Sequence, residues 1–233
     1  MKRALIIGLV TLTIFTSCDK KDDPGPTIIE NRSIPEFAEL QLNGSHELRI
    51  NPANDFEIRI TAPDNLMPYI ETYVTGEKLF IRERSNDIDH DRVLIEISEN
   101  FLNSIQLNGS GRIFAEDTVY SESLEISIDG SGEADLLTQT ELLRLDIDGS
   151  GRIDARGEAS DVRSHISGSG LILSKNISSS TAEAKIEGSG SIEIFAADNL
   201  FARIEGSGVI RYWGKPSSVN ANVEGSGSIL EMD

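Results

Sequence analysis

Seven serines stand directly between glycines, at Ser110, Ser131, Ser150, Ser169, Ser189, Ser207 and Ser226. A serine in a tight turn raises the question of a nucleophile. A nucleophile elbow needs Gly-x-Ser-x-Gly at a strand-to-helix turn, with a histidine and an acid brought near. Here the glycines adjoin the serine and no helix signal follows. The three histidines, His46, His90 and His165, sit on separate segments with no motif around them. Seven equivalent serines cannot each have a private base, so the triplet reads as a corner and not as a hydrolase site. Phosphate binding fails on the same residues. Neither Gly-x-Gly-x-x-Gly nor Gly-Lys-Ser/Thr occurs, and no helix N-terminus is signalled.

Carboxylates are the second candidate. The residues before the triplets are Asn108, Asp129, Asp148, Ser167, Glu187, Glu205 and Glu224. If the triplets stack, Asp129, Asp148, Glu187, Glu205 and Glu224 form a column of like charges that a Ca²⁺ ion would stabilise. These five are the candidate cation residues. The Ca²⁺-binding nonapeptide is absent, however, and Arg112 and Arg152 can neutralise neighbours. The expectation is a solvated acidic face that keeps the chain soluble, with no metal and no cofactor. Aromatic residues are scarce. The one tryptophan, Trp213, falls on the outward parity beside inward Tyr212, which makes it the candidate for stacking on a sugar or contacting a partner.

The elements that position these residues follow from the repeat. The triplets begin at Gly109, Gly130, Gly149, Gly168, Gly188, Gly206 and Gly225, a spacing of 18 to 21 residues. Such a period signals a stacked architecture. Apolar residues alternate through each unit: Ile105, Leu107, Gly109, Gly111 and Ile113 share one parity, as do Leu145, Ile147, Gly149, Gly151 and Ile153. Alternation of two is the period of a strand with one buried face, and helical spacing is absent. The fold class is therefore all-β, a parallel β-helix with coils of about 19 residues. The glycines take the inward corner position, where a Cβ does not fit or φ must be positive.

Residues 33–100 are strand-rich but irregular and read as a capping first part of the same solenoid. Phe56, Ile58 and Ile60 alternate, as do Val93, Ile95 and Ile97. Val74 to Ile81 reads as a hairpin about Thr75-Gly76, and Asp64 is placed to cap a single helical turn reaching Tyr69. Asn43-Gly44-Ser45-His46 is a worn copy of Asn108-Gly109-Ser110-Gly111, with His46 in the second glycine's place.

The leader sets the expected location. Lys2 and Arg3 precede an apolar run from Ala4 to Phe15, too short to span a bilayer and suited to a secretory signal. The run ends in Phe15-Thr16-Ser17-Cys18, which resembles a lipobox, and Cys18 is the only cysteine, so no intrachain disulfide forms. The organisation expected is a signal peptide over 1–17, a linker over 18–32 after a lipidated Cys18, and one domain over 33–233, regular from 101. Asp19-Lys20-Lys21-Asp22-Asp23 resembles a surface-export signal, while an acid directly after the cysteine resembles a retention signal. The acidic cluster as a whole favours the outer membrane, facing outward. Net charge is −18, and loss of Lys2 and Arg3 makes it more negative by two. Such a surface repels nucleic acid and anionic headgroups, which leaves the acyl chain as the membrane link.

The serial Gly-Ser-Gly-x-Ile elements, Glu77-Lys78-Leu79-Phe80-Ile81, and Ile210-Arg211-Tyr212-Trp213-Gly214-Lys215-Pro216 resemble the auto-transporter adhesin head GIN domain family over residues 34–231. The resemblance implies a secreted or lipid-anchored β-helix with an adhesin-like role, and it brings no catalytic residues. The function expected is a non-catalytic surface module that interacts with a glycan or protein. The alternative is a glycan-binding or polysaccharide-degrading β-helix using the acidic face.

Overall fold

Inward apolar residues set two strands per coil, and the coils stack. The computed structural model describes residues 24–51, 57–84, 90–91, 93–99 and 101–233. The expected signal sequence, Cys18, the acidic cluster after it and Phe56 lie outside the described residues. The strands before the regular repeat are β1 (Thr27–Ser33), β2 (Glu39–Gly44), β3 (Glu47–Asn51), β4 (Glu57–Pro63), β5 (Ile70–Thr75), β6 (Lys78–Glu83) and β7 (Leu94–Ser98). Next come β8 (Ser104–Gly109), β9 (Arg112–Tyr120), β10 (Ser123–Gly130), β11 (Glu133–Gly149), β12 (Arg152–Gly168) and β13 (Leu171–Ser178). The last are β14 (Thr181–Gly188), β15 (Ser191–Phe195), β16 (Asn199–Gly206), β17 (Val209–Trp213), β18 (Ser218–Gly225) and β19 (Ser228–Glu231).

From β8 onward every pairing is parallel, with register shifts only between Asp135 and Leu137 and between Asp154 and Arg156, so the chain winds as a β-solenoid. One face stacks β8, β10, the second half of β11, the second half of β12, β14, β16 and β18. The other stacks β9, the first halves of β11 and β12, then β13, β15, β17 and β19. Ladders of like side chains run through the core: Leu107, Ile128, Ile147, Ile166, Ile186 and Ile204 from one face are each no more than 2 % exposed. Ile113, Ala134, Ile153, Ile172, Ile192 and Ile210 face them from the other. Each large aliphatic side chain buried this way contributes about 1.5–3 kcal/mol of transfer free energy.

The Gly-Ser-Gly corner divides its demands between the two glycines. Gly149 has φ +125°, and a Cβ there would lie 2.4 Å from the carbonyl oxygen of Gly130 one coil back. Gly151 has no such backbone requirement but is buried, and its Cβ would lie 2.8 Å from Ile128 Cγ2. The first glycine is needed for conformation and contact, the second for space. The serine between them is exposed, and Ser150 donates its N–H to Gly130 O at 2.9 Å.

The N-terminal part is irregular because the chain visits the coils out of order. β2 lies between β6 and β8, and β3 lies between β7 and β9, all parallel. The chain therefore lays down one coil, doubles back to build a coil outside it, and then crosses to the other side to begin the regular stack. The outermost strands are antiparallel: β5 on β6, β4 on β7 and β1 on β4. Phe37, Leu66, Met67 and Ile70 close the core beneath them. Gly44 sits directly under Gly109 with φ +123°, so the worn triplet is an eighth rung of the glycine ladder.

Two expectations are corrected here. The segment through residue 32 is not all linker, because Thr27–Ser33 forms β1. Ile28 and Ile29 on β1 are 39 % and 65 % exposed, so this edge strand is held by backbone pairing and lacks the alternation of a buried face. Asp64 is not a helix cap either. Its N–H donates to Pro26 O, and the short 3₁₀ turn begins later, at Met67–Tyr69, with Leu66 before it and no side-chain cap. The hairpin about Thr75-Gly76 forms as expected, with Gly76 at φ +65°.

Candidate interaction surface

Parallel register turns every position of the repeat into a column on the surface. Asn43, Asn108, Asp129, Asp148, Ser167, Glu187, Glu205 and Glu224 are consecutive rungs of one column. All five candidate carboxylates point away from the core, as their parity requires. The neighbouring column supplies compensation that single-residue reading misses: His165, Lys185 and Arg203 stand on successive rungs. Lys185 bonds Glu187 and holds its carboxyl below the ordinary value. Arg203 reaches both Glu205 at 2.9 Å and Glu224 at 3.2 Å. Among the described residues no three such side chains are grouped to hold a metal ion. Arg112 and Arg152 neutralise a different acid, meeting on Glu133 at 3.5 and 3.6 Å.

The serine ladder runs along the exposed corner, and the histidines are engaged elsewhere. His165 pairs with Asp146 at 3.4 Å. His46 and His90 both face Glu83, at 3.0 and 3.3 Å. His46 is 1 % exposed, and burial pushes its pKa below the ordinary 6.5, aided by His90 and opposed by Glu83.

Trp213 lies on the outward side of β17 as its parity predicts, but it is half-buried. The Lys175 ammonium sits 4.9 Å from its ring centroid, and Phe195 precedes it one rung back. One aromatic face is therefore already used. Trp213, Phe195, Lys175 and Met232 line a shallow cleft near the last coil.

A more open aromatic site lies at the other corner, where the regular stack meets the cap. Phe101 is 59 % exposed and Tyr120 38 %, with ring centroids 5.8 Å apart and planes tilted by 33°. Their backbones form a parallel bridge. Glu99, itself buried, accepts the Phe101 N–H at 2.7 Å and so sets the position of the ring. Two clefts meet at Phe101. One is lined by Tyr120, Glu122, Gln139 and Glu141, the other by Glu36, Glu77, Glu99 and Asn103. The sequence did not single out this pair: the two residues are 19 apart, but the strands that follow them pair at an offset of 21, so the bridge is set by the local register.

Among the described residues no helix is long and apolar enough to cross a membrane. No curated protein matches the chain in sequence. In fold it is similar to a "putative adhesin" of Bacteroides fragilis, with TM-score 0.86 and 24 % identity over 91 % of this chain and 100 % of that one. It is also similar to a "putative lipid binding protein" of Parabacteroides distasonis, with TM-score 0.78 and 25 % identity over 92 % of this chain and 100 % of that one. A "putative adhesin" of Parabacteroides merdae aligns with TM-score 0.75 and 23 % identity over 91 % of this chain and 99 % of that one. Residues 36–216 match the model of the family described as "Putative auto-transporter adhesin, head GIN domain". The overall fold is thus shared with these structures, and the chain belongs to the auto-transporter adhesin head GIN domain family.

Proposed function

We propose that this chain is a non-catalytic, adhesin-like module that holds a surface glycan on the Phe101–Tyr120 edge. The observation that carries the reading is the Phe101–Tyr120 pair itself: two exposed aromatic rings meet at a junction of clefts lined by acids and amides. Aromatic faces stack on the C–H face of a sugar, and the flanking carboxylates and amides accept and donate to its hydroxyls. With a net charge of −18 and acids on both sides, the edge suits neutral or amino sugars and repels sulfated or uronic polymers. Attachment through a lipidated Cys18 would hold the module on the outward side of the outer membrane. Trp213 is a second contact only where a ligand displaces Lys175.

A glycan array probed with the purified protein tests this. Binding of neutral glycans should weaken by about tenfold or more in Phe101→Ala and Tyr120→Ala, the range for aromatic anchors. Loss in Trp213→Ala alone would move the site to the other cleft. Measured turnover of a polysaccharide would overturn the non-catalytic reading. Lipidation is tested separately: Cys18→Ala should release the protein from membranes.

A further inference from the structure

The last coil differs from the coils just before it in two respects. Inward residues that are buried one rung earlier, Leu200 and Ile204, are followed by Val219 and Val223, which are 46 % and 39 % exposed. The core ladder therefore opens to solvent at β18. The outward positions change as well. Arg163, Glu183 and Phe201 are followed on the next rung by Asn220, and His165, Lys185 and Arg203 by Asn222. Charged side chains on an edge strand are what normally keeps it from pairing with another chain. At the centre of this edge the outward positions are amides, Asn220 after Phe201 and Asn222 after Arg203, and the one charge on the strand is Glu224.

The backbone of the edge is also ready to pair. Ser218 donates its N–H to Asp198 O on the inner side. Strand alternation then turns the N–H and C=O of Val219, Ala221 and Val223 to the open side. These are the residues whose apolar side chains face the open core. Residues 219–223 read Val-Asn-Ala-Asn-Val, a palindrome. Antiparallel pairing of two identical strands about Ala221 sets Val219 against Val223, Asn220 against Asn222 and Ala221 against itself. About six backbone hydrogen bonds follow, because all three apolar positions fall at hydrogen-bonded pairs. Glu224 meets Ser218 and not another acid, and its charge is already held by Arg203 at 3.2 Å.

We infer that the β18 end is a homotypic docking surface, and that two copies join tip to tip about a two-fold axis through Ala221. The opposite end does not offer the same match. β1 carries Glu30 and Arg32, and β5 carries Glu71, so a head-to-tail stack would bring charges onto Asn and Ala and would propagate as a filament. In the tip-to-tip pair the capped ends, which bear the N-terminal strands, point away from each other. That is the arrangement of copies held on two facing surfaces. A contact of this size is weak for one pair and gains strength from many pairs in parallel. It uses no residue of the Phe101–Tyr120 edge, so it stands or falls apart from the glycan reading.

Sedimentation velocity of the purified full chain in detergent, over a wide concentration series, tests the pairing. The wild type should shift from monomer to dimer as concentration rises. Asn220→Lys with Asn222→Lys places lysines opposite each other at both cross-strand pairs and should abolish the dimer. Asn220→Lys with Asn222→Glu places opposite charges there and should restore it. Circular dichroism of each variant confirms that the coils remain folded. A monomer at every concentration, a dimer indifferent to the double lysine change, a failure of the charge pair to restore it, or an open-ended series of higher masses would each overturn the inference.

Discussion

At the scale of single residues, the glycine ladder shows how one triplet answers two different constraints. Parity alone places both glycines inward, and this much is legible in the sequence. Which of them needs a positive φ is decided by the hydrogen bond that each corner makes to the coil before it, because Ser150 N–H must reach Gly130 O. Gly149→Ala combines a φ of +125° with a Cβ 2.4 Å from a carbonyl oxygen, and neither can relax without moving the coil below. Its expected cost is about 3 kcal/mol in urea unfolding. Ser150→Ala keeps the backbone bond and changes an exposed side chain, so its cost should stay within about 0.5 kcal/mol. Comparable losses for the two would contradict the corner reading of the serine ladder.

At the scale of elements, the cap is where sequence reading and structure part. The hairpin about Thr75-Gly76 is local, and a turn with a glycine at φ +65° specifies it. The order of the coils is not local: β6 and β7 pack outside β2 and β3 although they follow them in the chain, and only long-range pairing reveals this. The cap also carries the buried His46, which replaces a glycine and faces Glu83 and His90. Burial lowers the pKa of His46, so the unfolded chain takes up its proton first. Stability is then complete above the ordinary histidine value of 6.5 and falls as pH drops below it. Thermal unfolding from pH 7.5 to 5 should show this decline, and His46→Gln should flatten it. An unchanged slope in the variant would assign the acid sensitivity to other groups.

At the scale of the whole molecule, each coil buries its apolar stripe only against its two neighbours, which makes stability a property of position in the stack. Counting from β5 to β18, ten strands on one face span roughly 43 Å at the usual strand spacing. Hydrogen exchange should be slowest in the centre, in β11 and β12, and fastest in β18 and β19, where the core is open. The amides of Val219, Ala221 and Val223 should be unprotected in dilute solution. Uniform protection along the chain would mean that the coils unfold as one unit.

What the sequence by itself determined was everything carried by period and parity. Alternation of Ile, Leu and Val with glycine at a spacing of about 19 admits a parallel solenoid, the inward side of every strand, and columns of acids on the outside. These properties are local or repeat exactly once per coil, so a single chain displays them without coordinates. Tertiary structure alone decided what depends on neighbours in space. It set the basic column beside the acids, the ammonium over Trp213 and the coil order in the cap. It also set the junction that exposes Phe101 with Tyr120. Each is a contact between rungs, and its partner is chosen by stacking register and by which coil lies next, not by adjacency in the chain.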